Sequence, residues 1–288
     1  MRVELVVSIE KTFGISLPES FGSEVFTVKD AVVKIQELLA AGPVAPGERV
    51  RLTWAEILAQ EPSDEVKETL SLEAGPVWNM GRYAIKLLVK IIFKLYNRLS
   101  VRGLENLPTK GPFIIAPNHL SLADAPSVIA AVPWNIGSQT FFLGATEYFS
   151  GGLTSRIAKL TQVIPVDMDT RLYSALQLSA YVLRQDKILC VFPEGTRARD
   201  GKLHEFKKGV GIIARELNVP IVPVAIRGTY EMLAPGKAVL KPAKVTVTFG
   251  KPVLPGDRDY DEIVKDLYEK VAGMMENRSE KSEVRSEK

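Results

Sequence analysis

Two short stretches of this chain carry side chains suited to moving a proton and holding an anion. Asn118-His119 is followed, after four residues, by Asp124, and Phe192-Pro193-Glu194-Gly195-Thr196-Arg197 comes about seventy residues later. A histidine oriented by a carboxylate can accept a proton from a hydroxyl. A Gly-Thr-Arg turn offers close backbone approach, a hydroxyl and a planar guanidinium fork for phosphate oxygens. Together they would turn a hydroxyl on a phosphate-bearing molecule into a nucleophile.

Such chemistry needs both stretches on loops that share one edge. Phe113 to Ala116 reads as a strand ended by Pro117, and Asp124 sits where a cap precedes a helix over Ala125 to Ala131, so His119 falls on the loop between them. Residues five apart on an ideal helix point about 140° from each other, whereas on a loop they can pair. The second stretch repeats the layout after Ile188 to Phe192. Further strands are expected at Thr140 to Gly144, Val163 to Val166, Ile221 to Ile226 and Lys244 to Phe249, with helices at Tyr173 to Arg184 and Gly209 to Leu217. This alternation implies an α/β fold: a central mixed, mostly parallel sheet flanked by helices, with an N-terminal helical appendage.

Composition removes several alternatives. One cysteine and two histidines in 288 residues leave no cluster at metal-ligand spacing, so no metal and no cofactor is expected. Cys190 lies in an apolar run and reads as a buried hydrophobe. Gly209-Val210-Gly211-Ile212-Ile213-Ala214 mimics a dinucleotide fingerprint, but no buried strand precedes it; Phe206 to Gly209 instead reads as a closure, at a helix start, of the site that His119 and Arg197 would form. No Gly-x-Ser-x-Gly elbow accompanies His119, which argues against a serine hydrolase. His204 has no evident sequence partner and is expected at the surface.

The formal charge of +3 hides an asymmetry. Residues 80–110 carry seven Lys or Arg against one acid, and residues 1–42 four against six. Arg82, Lys86, Lys90, Lys94 and Arg98 recur every fourth residue through an apolar stretch. A transmembrane span is disfavoured by the central lysine. The pattern instead predicts an amphipathic helix over 80–98, either lying at a membrane interface with cations toward headgroups and apolar side chains toward acyl chains, or packing its apolar face on the sheet domain; Trp78 and Tyr83 nearby favour the interface. The stripe lacks base-reading neighbours, so no nucleic acid is expected.

Four segments follow: 1–42 as short helices, including one from Val28 to Leu39; 43–76 as a linker with short helices, one capped by Thr53 and Glu56; 77–275 as the main domain; and 276–288 as a charged tail. Met1-Arg2-Val3-Glu4-Leu5 with Ile9-Glu10-Lys11-Thr12-Phe13-Gly14-Ile15 resembles an acyl carrier protein from its second helix onward. The Asp-Ser-Leu triplet that carries the prosthetic arm in that family does not precede it here, so the segment is expected to serve in docking or packing, or as part of a longer fusion.

Asn118-His119-x4-Asp124, the Phe192 to Arg197 run and Val219-Pro220-Ile221-Val222-Pro223-Val224 resemble, in order, the motifs of the glycerolipid acyltransferases, the family of 1-acylglycerol-3-phosphate acyltransferases. The resemblance covers residues 78 to 275. It implies His119 as general base, Asp124 as its orienting partner, and Asn118, Glu194, Gly195, Thr196, Arg197, Lys207 and Gly209 around the acceptor. It further implies an acyl-CoA or acyl carrier protein donor and a lysophospholipid or 1-acylglycerol-3-phosphate acceptor. The lone cysteine, an amino terminus unlike a signal peptide and the basic helix together lead to the expectation of a peripheral place on the cytoplasmic face of a membrane. Met168 after Val166-Asp167, where many relatives have Arg, and Ala198, where many have Ser, leave the headgroup open between lysophosphatidate and acylglycerophosphoethanolamine. The rival readings are a noncatalytic lipid-binding module and a thioester hydrolase.

Overall fold

Successive residues of the apolar runs serve opposite faces of one sheet. The computed structural model describes residues 28–40, 53–62, 67, 70, 72, 75–145, 152–166, 172–237 and 239–276. The carrier-like stretch of residues 1–15, Met168 with Arg171, and the tail beyond 276 lie outside them. The chain divides into two units, 1–53 and 54–288. In the first, helix α1 spans Val28–Ala40, within one residue of the expected end.

In the second unit, seven strands form one sheet: β1 (Ser100–Arg102), β2 (Phe113–Pro117), β3 (Thr140–Ala145), β4 (Val163–Val166), β5 (Ile188–Cys190), β6 (Ile221–Arg227) and β7 (Thr246–Phe249). Their order is β1-β7-β6-β2-β5-β3-β4, and every pairing is parallel except β6 with β7. A mostly parallel sheet must be covered on both faces, and its period of two divides the core. Phe113 and Ile115 join Ile188, Cys190, Val222 and Val224 on one side, while Ile114 and Ala116 join Leu189 and Ile221 on the other.

The first side is covered by α3 (Pro76–Leu95) and α4 (Asp124–Ala131). The second is covered by α7 (Leu172–Arg184), α8 (Gly209–Leu217) and α10 (Tyr260–Glu276), with α2 (Trp54–Ala59) packed on α7 and α8. The short helices α5 (Trp134–Gly137), α6 (Gly152–Thr161) and α9 (Thr229–Met232) complete the unit. The expected linker over 43–76 is therefore partly core. Leu58 is almost fully buried, its carbonyl accepts from the Arg184 guanidinium, and Leu70 packs with Phe141 and Val182. Strand β5 stops at Cys190, two residues short of expectation, and β7 starts at Thr246, two residues late.

The basic helix forms, starting four residues before the expected 80–98 and ending three short of it so that Arg98 lies beyond the helix, but it faces the other way. Arg82 and Lys86 are buried, and the expected orientation of these cations toward headgroups is corrected. Arg82 Nε donates to the Lys159 carbonyl at 3.2 Å, Lys86 Nζ to the Gly137 carbonyl and Gln162 Oε1, and Lys90 Nζ to the Val132 carbonyl at 2.6 Å. Lys159, Gly137 and Val132 lie in the last turns or caps of α6, α5 and α4, where unpaired carbonyls and the negative dipole end favour a cation. Burial, with Arg82 and Lys90 as neighbouring cations, lowers the Lys86 ammonium to about 7. With these three turned inward, Met80, Leu87, Leu88, Ile91 and Leu95 face outward and are exposed, with Lys94 among them. Among the described residues no helix is long and apolar enough to cross a membrane.

Candidate active site

Because β2 and β5 are parallel neighbours, the loops leaving their carboxyl ends meet at one edge of the sheet. Ile115 pairs with Cys190, so His119 and the Pro193 to Arg197 turn start from the same level. The turn is held by the His119 main chain itself. The His119 N–H donates to Glu194 Oε1 at 2.6 Å, and the His119 carbonyl accepts from the Ala198 N–H at 2.9 Å. The ring stacks on Phe192, with centroids 3.9 Å apart and planes 21° from parallel.

Asp124 orients the imidazole. Its Oδ2 lies 3.0 Å from His119 Nδ1 and also accepts the N–H groups of Leu120 at 2.6 Å and Ser121 at 2.7 Å. Asp124 is fully buried in the first turn of α4, one residue inside the helix rather than at its cap, and His119 is partly exposed. A carboxylate there can only accept, so the proton between the two groups sits on Nδ1. The lone pair of Nε2 is then available for a substrate hydroxyl.

The structure divides the expected site residues by role. His119, Gly195, Thr196 and Arg197 line one cavity of about 1570 Å3. Gly195 has φ +76°, a left-handed turn that glycine adopts without a side-chain clash. Asn118 is fully buried, and its amide bonds the carbonyl and N–H of Ile226 at 3.0 and 2.7 Å, tying the end of β2 to β6. Glu194 is also buried, and its Oε2 accepts the His204 N–H at 3.1 Å. Both were expected at the acceptor; both are instead spent on backbone. Burial raises the Glu194 carboxyl to about 7 against the downward pull of its two N–H donors. Lys207 is exposed, its side chain packing beside Gly195, and its N–H donates to the Pro193 carbonyl at 2.8 Å. Gly209 sits at the start of α8 against Leu176 rather than on the cavity wall.

Other parts of the wall went unread in the sequence. Arg199, Asp200 and His204 line the same cavity, and His204 has a partner after all, its Nε2 lying 3.0 Å from Asp200 Oδ1. Ile85, Val89, Ile129, Phe142 and Val166 supply an apolar flank. Their only sequence signal was membership in amphipathic runs that equally describe core. Cys190 is fully buried, with its thiol pushed up by burial.

Residues 98–227, which carry the clamped His119–Asp124 pair and the Gly-Thr-Arg turn at neighbouring strand ends, match the family model named Acyltransferase. The curated proteins this chain is similar to are 1-acyl-sn-glycerol-3-phosphate acyltransferases. The chain is 29% identical over 175 residues to the chloroplastic 1-acyl-sn-glycerol-3-phosphate acyltransferase BAT2 of Brassica napus, covering 59% of this chain and 49% of the relative. It is 26% identical to the 1-acyl-sn-glycerol-3-phosphate acyltransferase of Bacillus subtilis, covering 59% of this chain and 80% of that one. The crystal structure of the 1-acyl-sn-glycerophosphate (LPA) acyltransferase PlsC from Thermotoga maritima aligns with a TM-score of 0.57 at 29% identity, over 74% of this chain and 88% of that one. The chain spans about half the length of the plant relatives it matches.

Proposed function

We propose that this chain transfers a fatty acyl group from a thioester donor, acyl-CoA or acyl carrier protein, to the free hydroxyl of a lysophospholipid or 1-acylglycerol-3-phosphate. The observation that carries the reading is one cavity with two kinds of wall. His119, Thr196, Arg197 and Arg199 make a polar, cationic part, and Ile85, Val89, Ile129 and Phe142 an apolar one. A phosphate-bearing headgroup suits the first and acyl chain the second.

In this mechanism His119 Nε2 takes the proton of the acceptor hydroxyl as its oxygen attacks the thioester carbonyl. The tetrahedral intermediate then collapses, the C–S bond breaks, and the imidazolium returns the proton to the thiolate. Asp124 holds the ring through Nδ1 and stabilises the imidazolium, while Arg197 holds the acceptor phosphate. No covalent enzyme intermediate is required. The outward apolar row of α3 supports action at a membrane surface, by burial of Met80, Leu87, Leu88, Ile91 and Leu95 in the interface.

Purified protein incubated with a labelled acyl thioester and a panel of lysophospholipids tests the reading. Labelled diacyl product is expected. Release of fatty acid alone would indicate a hydrolase, and vesicle binding without turnover of any donor would indicate a lipid-binding module.

A further inference from the structure

The basic stripe of α3 is largely spent on helix ends, so positive charge at a lipid surface must come from elsewhere. Residues 232–256 contain four lysines and no acid. Three of them, Lys237, Lys241 and Lys244, are exposed and flank Val239 and Leu240, which are 72% and 48% exposed. Adjacent large apolar side chains left in water cost free energy unless something covers them.

This excursion is anchored at both ends. The Lys241 N–H donates to the Met232 carbonyl at 2.9 Å and the Lys237 N–H to the Ala234 carbonyl at 3.0 Å. Toward α3, the Tyr96 hydroxyl donates to the Leu240 carbonyl at 3.3 Å, and the Val245 N–H to the Asn97 carbonyl at 3.0 Å. The Leu240 main chain is therefore tied to Tyr96, the residue that follows the exposed Leu95 at the carboxyl end of α3. At the loop's other side Pro235 and Gly236 line the cavity with His119. Ser121 Oγ, from the loop that carries His119, donates to the Leu233 carbonyl at 2.6 Å.

We propose that Lys237, Val239, Leu240, Lys241 and Lys244 form a second lipid contact: Val239 and Leu240 enter the interface of an anionic bilayer, and the three lysines meet its phosphates. The contact sets the cavity mouth against the surface from which acceptor is drawn. An apolar tip flanked by lysines, in a stretch whose sequence holds no acid, matches the two forces that hold interfacial segments. The proposal rests on the reading that the chain acts at a membrane and adds which segment supplies the electrostatic part.

The test is co-sedimentation of the purified full chain with vesicles of phosphatidylcholine alone or mixed with phosphatidylglycerol. Replacing Lys237, Lys241 and Lys244 together by Gln should weaken binding to the mixed vesicles about a hundredfold, at about fivefold per lysine near the surface, and leave neutral vesicles nearly unaffected. Val239→Ser with Leu240→Ser should weaken both kinds about tenfold. A control with Lys110, Lys187 and Lys265 changed to Gln should shift binding less than about twofold at screening salt, and circular dichroism verifies that each variant is folded. Equal losses in the loop and control variants would overturn the proposal. Unchanged vesicle binding with weakened capture of acyl carrier protein would also overturn it, giving the patch to a protein donor. Failure of the unaltered chain to bind any vesicle would instead remove the membrane reading beneath it.

Discussion

The two histidines of this chain each sit 3.0 Å from an aspartate, yet the two pairs differ in almost everything else. His119 and Asp124 are 19% and 0% exposed; His204 and Asp200 are 49% and 51% exposed. Asp124 also accepts two backbone N–H groups, which fix the carboxylate and, through it, the ring. Asp200 shares its oxygen with the Lys202 N–H on an open turn, and that bond with the His204 ring holds its carboxyl below the ordinary value. An exposed ion pair contributes little and is screened by salt. Separation alone therefore identifies neither base; water exclusion and backbone clamping do. Glu194 joins the two, since its oxygens accept the main-chain N–H groups of both histidines.

The comparison breaks most sharply at the rings. His119→Ala should lower acyl transfer by about 10²- to 10⁴-fold with the fold intact, the range of a lost general base. His204→Ala should change the initial rate by less than about threefold, and a large loss there would show that the exposed pair takes part in chemistry.

The aspartates come next. Asp124→Asn should cost about a hundredfold in turnover through the imidazole orientation. It should also cost about 1–3 kcal/mol in stability, because an amide can turn a donor toward buried N–H groups. Asp200→Asn should leave the denaturant midpoint nearly unchanged.

Glu194 gives a smaller effect with a pH signature. Glu194→Gln should reduce turnover about tenfold by loosening the His119 backbone, with kcat moving more than KM. Its carboxyl, at about 7 in the folded chain against an ordinary 4.5, keeps a proton that the unfolded chain has released between those values. Stability should therefore fall as pH rises through that window and level off above it. Urea midpoints at pH 5 and 7.5 should show the slope in the unaltered chain and lose it in Glu194→Gln.

Much of the site was legible because its residues sit where strands end. Pro117 and Gly195 mark exits from apolar runs, and the two runs proved to be paired neighbours. The roles of Asn118 and Glu194 were not legible. Their partners are the backbones of Ile226, His119 and His204, and a main-chain donor leaves no mark in composition. The basic stripe failed for the same reason. Its period located α3 to within three or four residues at each end, but a moment fixes an axis and not which side meets protein, and the acceptors at Gly137, Val132 and Lys159 are carbonyls. Strand β1, at three residues, was too short to stand out, and Leu58 looked like linker because Pro and Gly surround its helix.

The pairing of Ile115 with Cys190 acts as a measuring stick for catalysis. Removing one residue between Phe113 and His119 would draw that loop back by about 3.3 Å relative to the Gly-Thr-Arg turn and reverse which side chains face each core. Length variation is then tolerable in the excursions between strands and intolerable in the few residues from Phe113 to His119 and from Ile188 to Glu194. In descendants of this chain, those two intervals should keep their lengths even where nearly every side chain within them has been exchanged.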